Sequence, residues 1–225
     1  MAEFINPIGA VRGKFGNVVA YMGANGKNFC KSRSFSRKPI SASQRERAAA
    51  FAAVVSRKWW MKPVIQLGFP GNRYPKGGNG FTSANVLTAV TVEKVESNKV
   101  KKHPGKILQE YRGVIDYSKL RVAAGGLVMP SVTVEVNVEQ REVRFVQRGL
   151  AVESIDCFLD DEIYGVLLYE PNQRCKIERL GIRGEDMSRS MQLPEKMEVE
   201  GMVIYVFART ADGKEVSDSM CLQEC

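Results

Sequence analysis

A chain of 225 residues, 44% hydrophobic and 26% charged, has room for one large or two modest domains. It is too apolar to be disordered throughout. Its 33 Lys/Arg against 25 Asp/Glu leave +8 with His neutral, a balance that admits an acidic partner without requiring one.

The charge is segregated along the chain. Residues 1–113 carry 20 Lys/Arg and 5 Asp/Glu, a net of +15, whereas residues 114–225 carry 13 and 20, a net of −7. Surfaces of opposite sign attract different partners. The expected division is therefore a basic N-terminal hairpin and helix region with a loop-rich connector, residues 1–113, and an acidic domain, residues 114–225. Attraction between the basic half of one copy and the acidic half of another would be head-to-tail, a geometry that builds rings or filaments.

Residues 11–22 read as a hairpin, with turn chemistry at Gly13-Lys14-Phe15-Gly16-Asn17 and strand character at Val18, Val19 and Tyr21. A second turn, Ala24-Asn25-Gly26-Lys27, contains the Asn-Gly pair that tolerates positive φ. The returning strand is expected over residues 29–35, with Phe29, Lys31, Arg33 and Phe35 on one face. Lys31, Arg33, Arg37 and Lys38 fall within eight residues. Cations interleaved with an aromatic suit an arm that follows a phosphate backbone. They equally suit a sheet edge protected against pairing with other edges.

The clearest helix follows. Ser41 and Gln44 form a capping-box pattern, and Ala48, Phe51, Ala52, Val55 and Trp59 recur at helical spacing. That stripe is expected to face the core, with Arg45, Arg47, Arg57 and Lys58 mainly off it. Pro63 should end the helix. Trp59 and Trp60 point about 100° apart on a helix, so one should enter the core and the other shield its edge. Residues 69–80 read as loop. Their glycines match neither the phosphate-binding loop nor the dinucleotide fingerprint, because no strand and helix frame them. A short helix is expected over residues 82–89, then a basic connection over 93–113.

From residue 116 onwards short apolar runs alternate with turns. Residues 120–124 are the first. Residues 131–139 alternate strictly, with Val132, Val134, Val136 and Val138 on one face, and residues 141–147 supply a hairpin partner. Residues 163–169, 174–180 and 188–193 follow. Residues 202–208 are almost continuously apolar, as a central strand covered on both faces would be. Asp212-Gly213 then turns the chain into 215–222, where Val216, Met220 and Leu222 should face one way. The fold expected is mainly β (α+β overall), a small N-terminal hairpin-plus-helix unit followed by an immunoglobulin- or fibronectin-III-like antiparallel sandwich.

Catalytic and metal chemistry finds little support in the residues. Cys30, Cys157, Cys175, Cys221 and Cys225 are odd in number and contain no Cys-x-x-Cys pair, which suits thiols in a reducing compartment. The single histidine, His103, lies between Lys102 and Pro104, so no zinc set is expected. Asp160-Asp161-Glu162 invites calcium or paired-carboxylate chemistry, but the calcium-loop spacing is absent and a solvated turn explains it as well. There is no Gly-x-Ser-x-Gly and no Ser-His-Asp set. No apolar run approaches the ~18 residues of a membrane helix, and the first residues lack an apolar signal core. These features set the expectation of a non-enzymatic protein without cofactor or metal, in the cytoplasm or in a virion.

The combination of Gly13-Lys14-Phe15-Gly16-Asn17-Val18-Val19, Gly26-Lys27, Arg33-Ser34 and Pro39 with Gln44, Arg47 and Phe51 resembles an uncharacterised family. Asp116-Tyr117-Ser118-Lys119-Leu120, Tyr169 with Pro171, Leu193-Pro194, Tyr205, and Asp212-Gly213-Lys214 with Val216-Ser217-Asp218-Ser219 extend the resemblance over most of the chain. The family is a domain of unknown function common in Bacteroides-type gut bacteria and their phages and mobile elements. This sequence departs from it in the basic 93–113 insertion and in lacking a Trp near Phe145. The resemblance implies a two-part, mainly β architecture, transfers no catalytic residue, and points to a structural part of a phage-like particle.

The leading expectation is thus an assembly protein, homo- or hetero-oligomeric, anchored through its basic half. Lys31, Arg33, Arg37, Lys38, Arg45, Arg47, Arg57 and Lys58 are the candidate contacts to an acidic protein surface or to nucleic acid. A soluble nucleic-acid-binding protein is the alternative. A carbohydrate-binding or adhesive sandwich on a particle surface is the third reading.

Overall fold

The computed structural model describes residues 2–4, 12–33, 40–71, 77–95 and 110–222. Phe35, Arg37, Lys38, Lys99, Lys101, Lys102, His103, Lys106 and Cys225 lie outside them. The described chain is mainly β, with several antiparallel sheets and three α-helices. It divides into two compact units, Met1–Ser41 and Ala42–Cys225.

The first unit is one antiparallel sheet of β1 (Ala2–Phe4), β2 (Gly13–Phe15), β3 (Val18–Met22) and β4 (Asn28–Ser32), in the order β1-β4-β3-β2. Phe15 pairs with Val18, which leaves Gly16-Asn17 as a two-residue turn, and Gly16 takes a φ of 54° there. A side chain at that position would be strained. Tyr21 stacks on Phe29 at 5.8 Å, yet Ala20 is the one buried side chain among those described in this sheet.

The second unit is layered about a sandwich. β7 (Thr133–Asn137), β8 (Glu142–Gln147) and β11 (Met187–Gln192) form one sheet, ordered β11-β8-β7. β9 (Glu162–Tyr169), β10 (Arg174–Ile182), β12 (Met202–Arg209) and β13 (Met220–Cys221) form the other, ordered β10-β9-β12-β13. The first, second and fifth strands thus oppose the third, fourth, sixth and seventh. This is an immunoglobulin-type arrangement with the fourth strand in the second sheet. Val143, Phe145, Met187 and Met191 face Ile163, Leu167, Ile204 and Val206 in the core between the sheets.

The opposite face of the four-stranded sheet is covered as well. Val166, Leu168, Val203, Tyr205 and Phe207 pack against a helical layer that contributes Val54, Trp60, Met61, Val64, Ile65 and Phe81. Its helices are α1 (Ala42–Val55), α2 (Lys62–Gly68) and α3 (Gly78–Asn85). β12 therefore buries alternate side chains in two different cores, which is why its sequence is apolar without a break.

A boundary after Gly113 does not correspond to the fold. β6 (Tyr111–Ile115) runs through it, paired with β5 (Val90–Lys94), so that Gly113 lies opposite Val92. A Cβ on Gly113 would lie 2.8 Å from the Ala49 carbonyl oxygen and from Ala53 Cβ, so α1 lies directly on this strand. The charge changes sign at residue 113, but the described residues on either side of it pack together.

That close approach also corrects the expected face of α1. Its buried residues are Ala50, Ala53 and Val54, small side chains that fit against β6. Phe51 is 54% exposed and Trp59 is 69% exposed, and Ala48, Ala52 and Val55 are exposed with them. Of the tryptophan pair, Trp60 enters the core.

Three smaller differences have local causes. α3 starts at Gly78, earlier than expected, and ends at Asn85, where the Asn85 amide donates to the Arg121 carbonyl at 2.9 Å and accepts from the Arg121 N–H at 2.7 Å. Residues 120–124 consequently form a largely buried irregular segment rather than a strand, their backbone bonded partly to the Asn85 and Ser219 side chains and partly to the backbone of Tyr117, Gly68 and Ser219. Val216 belongs to the helix-side core while Met220 and Leu222 pack on the sandwich core, because ladder pairing lapses between the Val216 bridge and β13.

Candidate functional site

The eight candidate cations do not form one patch within a single unit. Lys31 and Arg33 belong to the first unit, at and just after β4, while Arg45, Arg47, Arg57 and Lys58 belong to the second. Arg37 and Lys38 lie outside the described residues. The Lys31 ammonium sits 5.7 Å from the centre of the Tyr21 ring, within cation–π range. The Arg33 N–H donates to the Asn17 carbonyl at 2.6 Å, extending the sheet past β4.

In the second unit two of the four are engaged within the fold. Arg45 pairs with Glu110 at 2.9 Å, beside the start of β6. Arg57 pairs with Glu170 at 2.9 Å and donates to the Tyr117 hydroxyl at 3.5 Å, joining the end of α1 to the turn after β9. Both pairs are partly exposed, so each contributes at most about 1 kcal/mol. Arg47 is exposed. Lys58 is half-buried along Gly78, and desolvation holds its pKa below the usual lysine value.

Around Arg47 the outward face of α1 is apolar. Phe51 and Val55 are one helical turn apart, and Trp59 follows in the turn-like extension where the Lys58 N–H donates to the Val55 carbonyl. Phe51 and Trp59 are the most exposed of the three. The sequence located these residues correctly as a stripe and assigned them to the wrong side.

No protein-family model, curated protein or solved structure matches the chain.

The acidic cluster at 160–162 proves to be architectural in two of its members. Asp161 is fully buried, accepts from Arg183 Nε at 3.2 Å and from the Phe158 N–H at 3.1 Å, and is paired with an arginine that is itself buried. Arg183 also donates to the Val128 carbonyl at 2.7 Å. Glu162 pairs with Arg179 at 2.9 Å and accepts from the Tyr164 hydroxyl at 2.7 Å. Asp160 is exposed. Among the described residues no three of His, Cys, Asp and Glu gather as a metal-holding group.

A cleft of about 520 Å³ opens beside Asp116, Tyr117, Leu168, Glu170 and Val203. Its Asp116 carboxyl is held below the usual carboxylate range by hydrogen bonds from Ser118 and Lys119, and burial holds the Tyr117 hydroxyl above its own. Both groups thus keep the protonation states they would have near neutral pH, with no tuning towards acid–base exchange. Burial also pushes the Cys175 thiol up to about 11, and its Sγ lies 2.9 Å from the Trp60 carbonyl oxygen as a donor. A protonated, donating thiol is a poor nucleophile. No described helix is long and apolar enough to cross a membrane.

Proposed function

We propose that the protein is a non-enzymatic structural component that assembles through its basic N-terminal half, as part of a phage-like particle. The observation that carries this reading is the outward stripe of α1, Phe51, Val55 and Trp59, beside the exposed Arg47. The first unit supports it. Among the described residues its open sheet has two unpaired edges, β1 and β2, and one buried side chain. Units of this size rarely hold a core of their own, and open edges are normally covered. An apolar surface with Arg47 as its one exposed arginine suits a neighbouring protein surface better than nucleic acid, because Arg45 and Arg57 are committed to internal pairs and Val55 offers no stacking face.

The chain has two tryptophans, of which Trp60 is buried and Trp59 exposed, so Trp59 reports on the stripe. The difference in emission between wild type and Trp59→Phe isolates its signal. That signal should move to shorter wavelength as protein concentration rises from about 1 to 100 μM at low ionic strength, where charge attraction acts over the longest range. An emission fixed at that of water-exposed tryptophan would overturn the proposal. A shift produced by a single-stranded oligonucleotide, but not by concentration, would put the nucleic-acid reading in its place.

A further inference from the structure

The end of the sandwich that carries the β8–β9 connection has an exposed apolar surface on a rigid base. Strand direction brings four segments to this end: the approach to β7, the β8–β9 connection over residues 148–161, the β10–β11 turn and the turn after β12. Printed contacts tie three of them together. The Val128 N–H donates to the Asp156 carbonyl at 2.8 Å, the Leu150 N–H to the Arg183 carbonyl at 2.9 Å, and the Gly184 N–H to the Leu159 carbonyl at 2.8 Å. Beneath them lies the buried Asp161–Arg183 pair, and Gln147 Nε2 donates to the Ile182 and Arg183 carbonyls. Asp156, Lys214 and Glu215 border one cleft, which brings in the fourth segment.

On this base stand Ile155, 87% exposed, and Val152, 74% exposed, with Val128, Met129, Leu150 and Phe158 exposed beside them. Ile155 and Asp156 occupy the tip of a tight turn closed by the Ser154–Cys157 bridge. A surface loop normally carries polar side chains at its tip, so apolar ones held in fixed positions indicate a binding surface. Its surround is acidic. Residues 126–129, 148–161, 183–186 and 210–215 hold eight Asp/Glu against three Lys/Arg, a net of −5. Apart from the Asp161–Arg183 pair, all of these charges are exposed.

The first unit has the complementary character. It carries seven Lys/Arg against one Glu, a net of +6. Its β2–β3 hairpin presents Phe15, 57% exposed, and Val18 as cross-strand partners, while the exposed Lys14 alternates to the opposite face of the strand. Partners directly opposite one another project from the same face. We propose that the loop end of the sandwich is the docking site for the first unit of a second copy of this chain, apolar tip to apolar platform, with the net positive charge of the unit drawn to the surrounding carboxylates. This rests on the assembly reading and adds a contact distinct from the α1 stripe. The contact is heterologous, so it propagates from copy to copy into a ring or a filament.

Two full-length variants test it: Lys14→Glu/Phe15→Asp on the hairpin, and Val152→Asp/Ile155→Asp on the loops. All four side chains are exposed, and matching thermal melts would confirm that both variants fold; Val152→Ser/Ile155→Ser serves if the aspartates disturb the loop. By light scattering at low salt, wild type should grow beyond two copies. Each variant alone should associate at least about tenfold more weakly. An equimolar mixture should recover association that neither variant shows alone, because one intact hairpin and one intact platform remain to meet. If wild type assembles and the loop variant assembles equally well, the site is wrong and the broader assembly reading stands. If the loop variant fails but the hairpin variant assembles, something other than the first unit occupies the platform, which overturns the proposal. A wild type that remains a single chain would remove both.

Discussion

Asp161→Ala is expected to lower the unfolding free energy by about 3–5 kcal/mol, the usual cost of leaving one member of a buried ion pair without its partner. The size follows from the surroundings. Asp161 is fully buried, Arg183 nearly so, and the Phe158 N–H would lose its acceptor with the carboxylate. The same pair supports the loops at this end, so backbone protection over residues 148–161 should fall in hydrogen exchange even where the strands stay protected. Denaturant unfolding measures the first effect. The double variant Asp161→Ala/Arg183→Met should recover part of the loss, because it removes the stranded charge as well. A loss below about 1 kcal/mol for Asp161→Ala would mean that the pair is solvated.

Phe207→Ala should be comparably severe, about 3–5 kcal/mol, as is typical of emptying a buried aromatic site. Phe207 is fully buried and stacks on Tyr164 with ring centres 5.5 Å apart. The side chain belongs to the core between the four-stranded sheet and the helices. The loss should therefore appear together in the far-ultraviolet helix signal and in the fluorescence of Trp60, in one transition. Helices that stay folded after the sheet has melted would show that residues 42–113 form a separate domain after all.

The strands were legible where burial is one-sided or complete. Residues 133–137 alternate because one face of β7 meets the core. β12 is apolar throughout because two cores share it. The face of α1 was not legible, since hydrophobicity favours Phe51, Val55 and Trp59 whereas the available space against Gly113 admits only small side chains. The domain boundary failed for a related reason: charge reports the surface, and Val54, Trp60, Met61 and Phe81 join residues 42–113 to the sandwich through its interior.

The candidate site was legible as a list of residue types and not as a set of partners. Arg45 and Arg57 look like their neighbours in sequence, but their carboxylates, Glu110 and Glu170, are 65 and 113 residues away. Asp161 looks like a solvated turn residue because Arg183 follows it by 22 positions. The apolar tips at Val152 and Ile155 show no periodicity, since a loop has none to show. Their one signal in the sequence is an apolar residue on either side of Glu153-Ser154, within a stretch where a turn would be expected to be polar.

Association between the basic first unit of one copy and the acidic loop end of another copy's sandwich is the central claim, and its most direct test is the mass of the intact protein in solution at two ionic strengths. Charge attraction between exposed groups reaches about 10 Å at 0.1 M salt and about 3 Å at 1 M. Multi-angle light scattering should give a mass of several chains at the lower salt, increasing with concentration, and a mass moving towards one chain at the higher. A mass of one chain at both salts, at every concentration up to about 100 μM, where contacts with dissociation constants well below 100 μM should be largely populated, would contradict it.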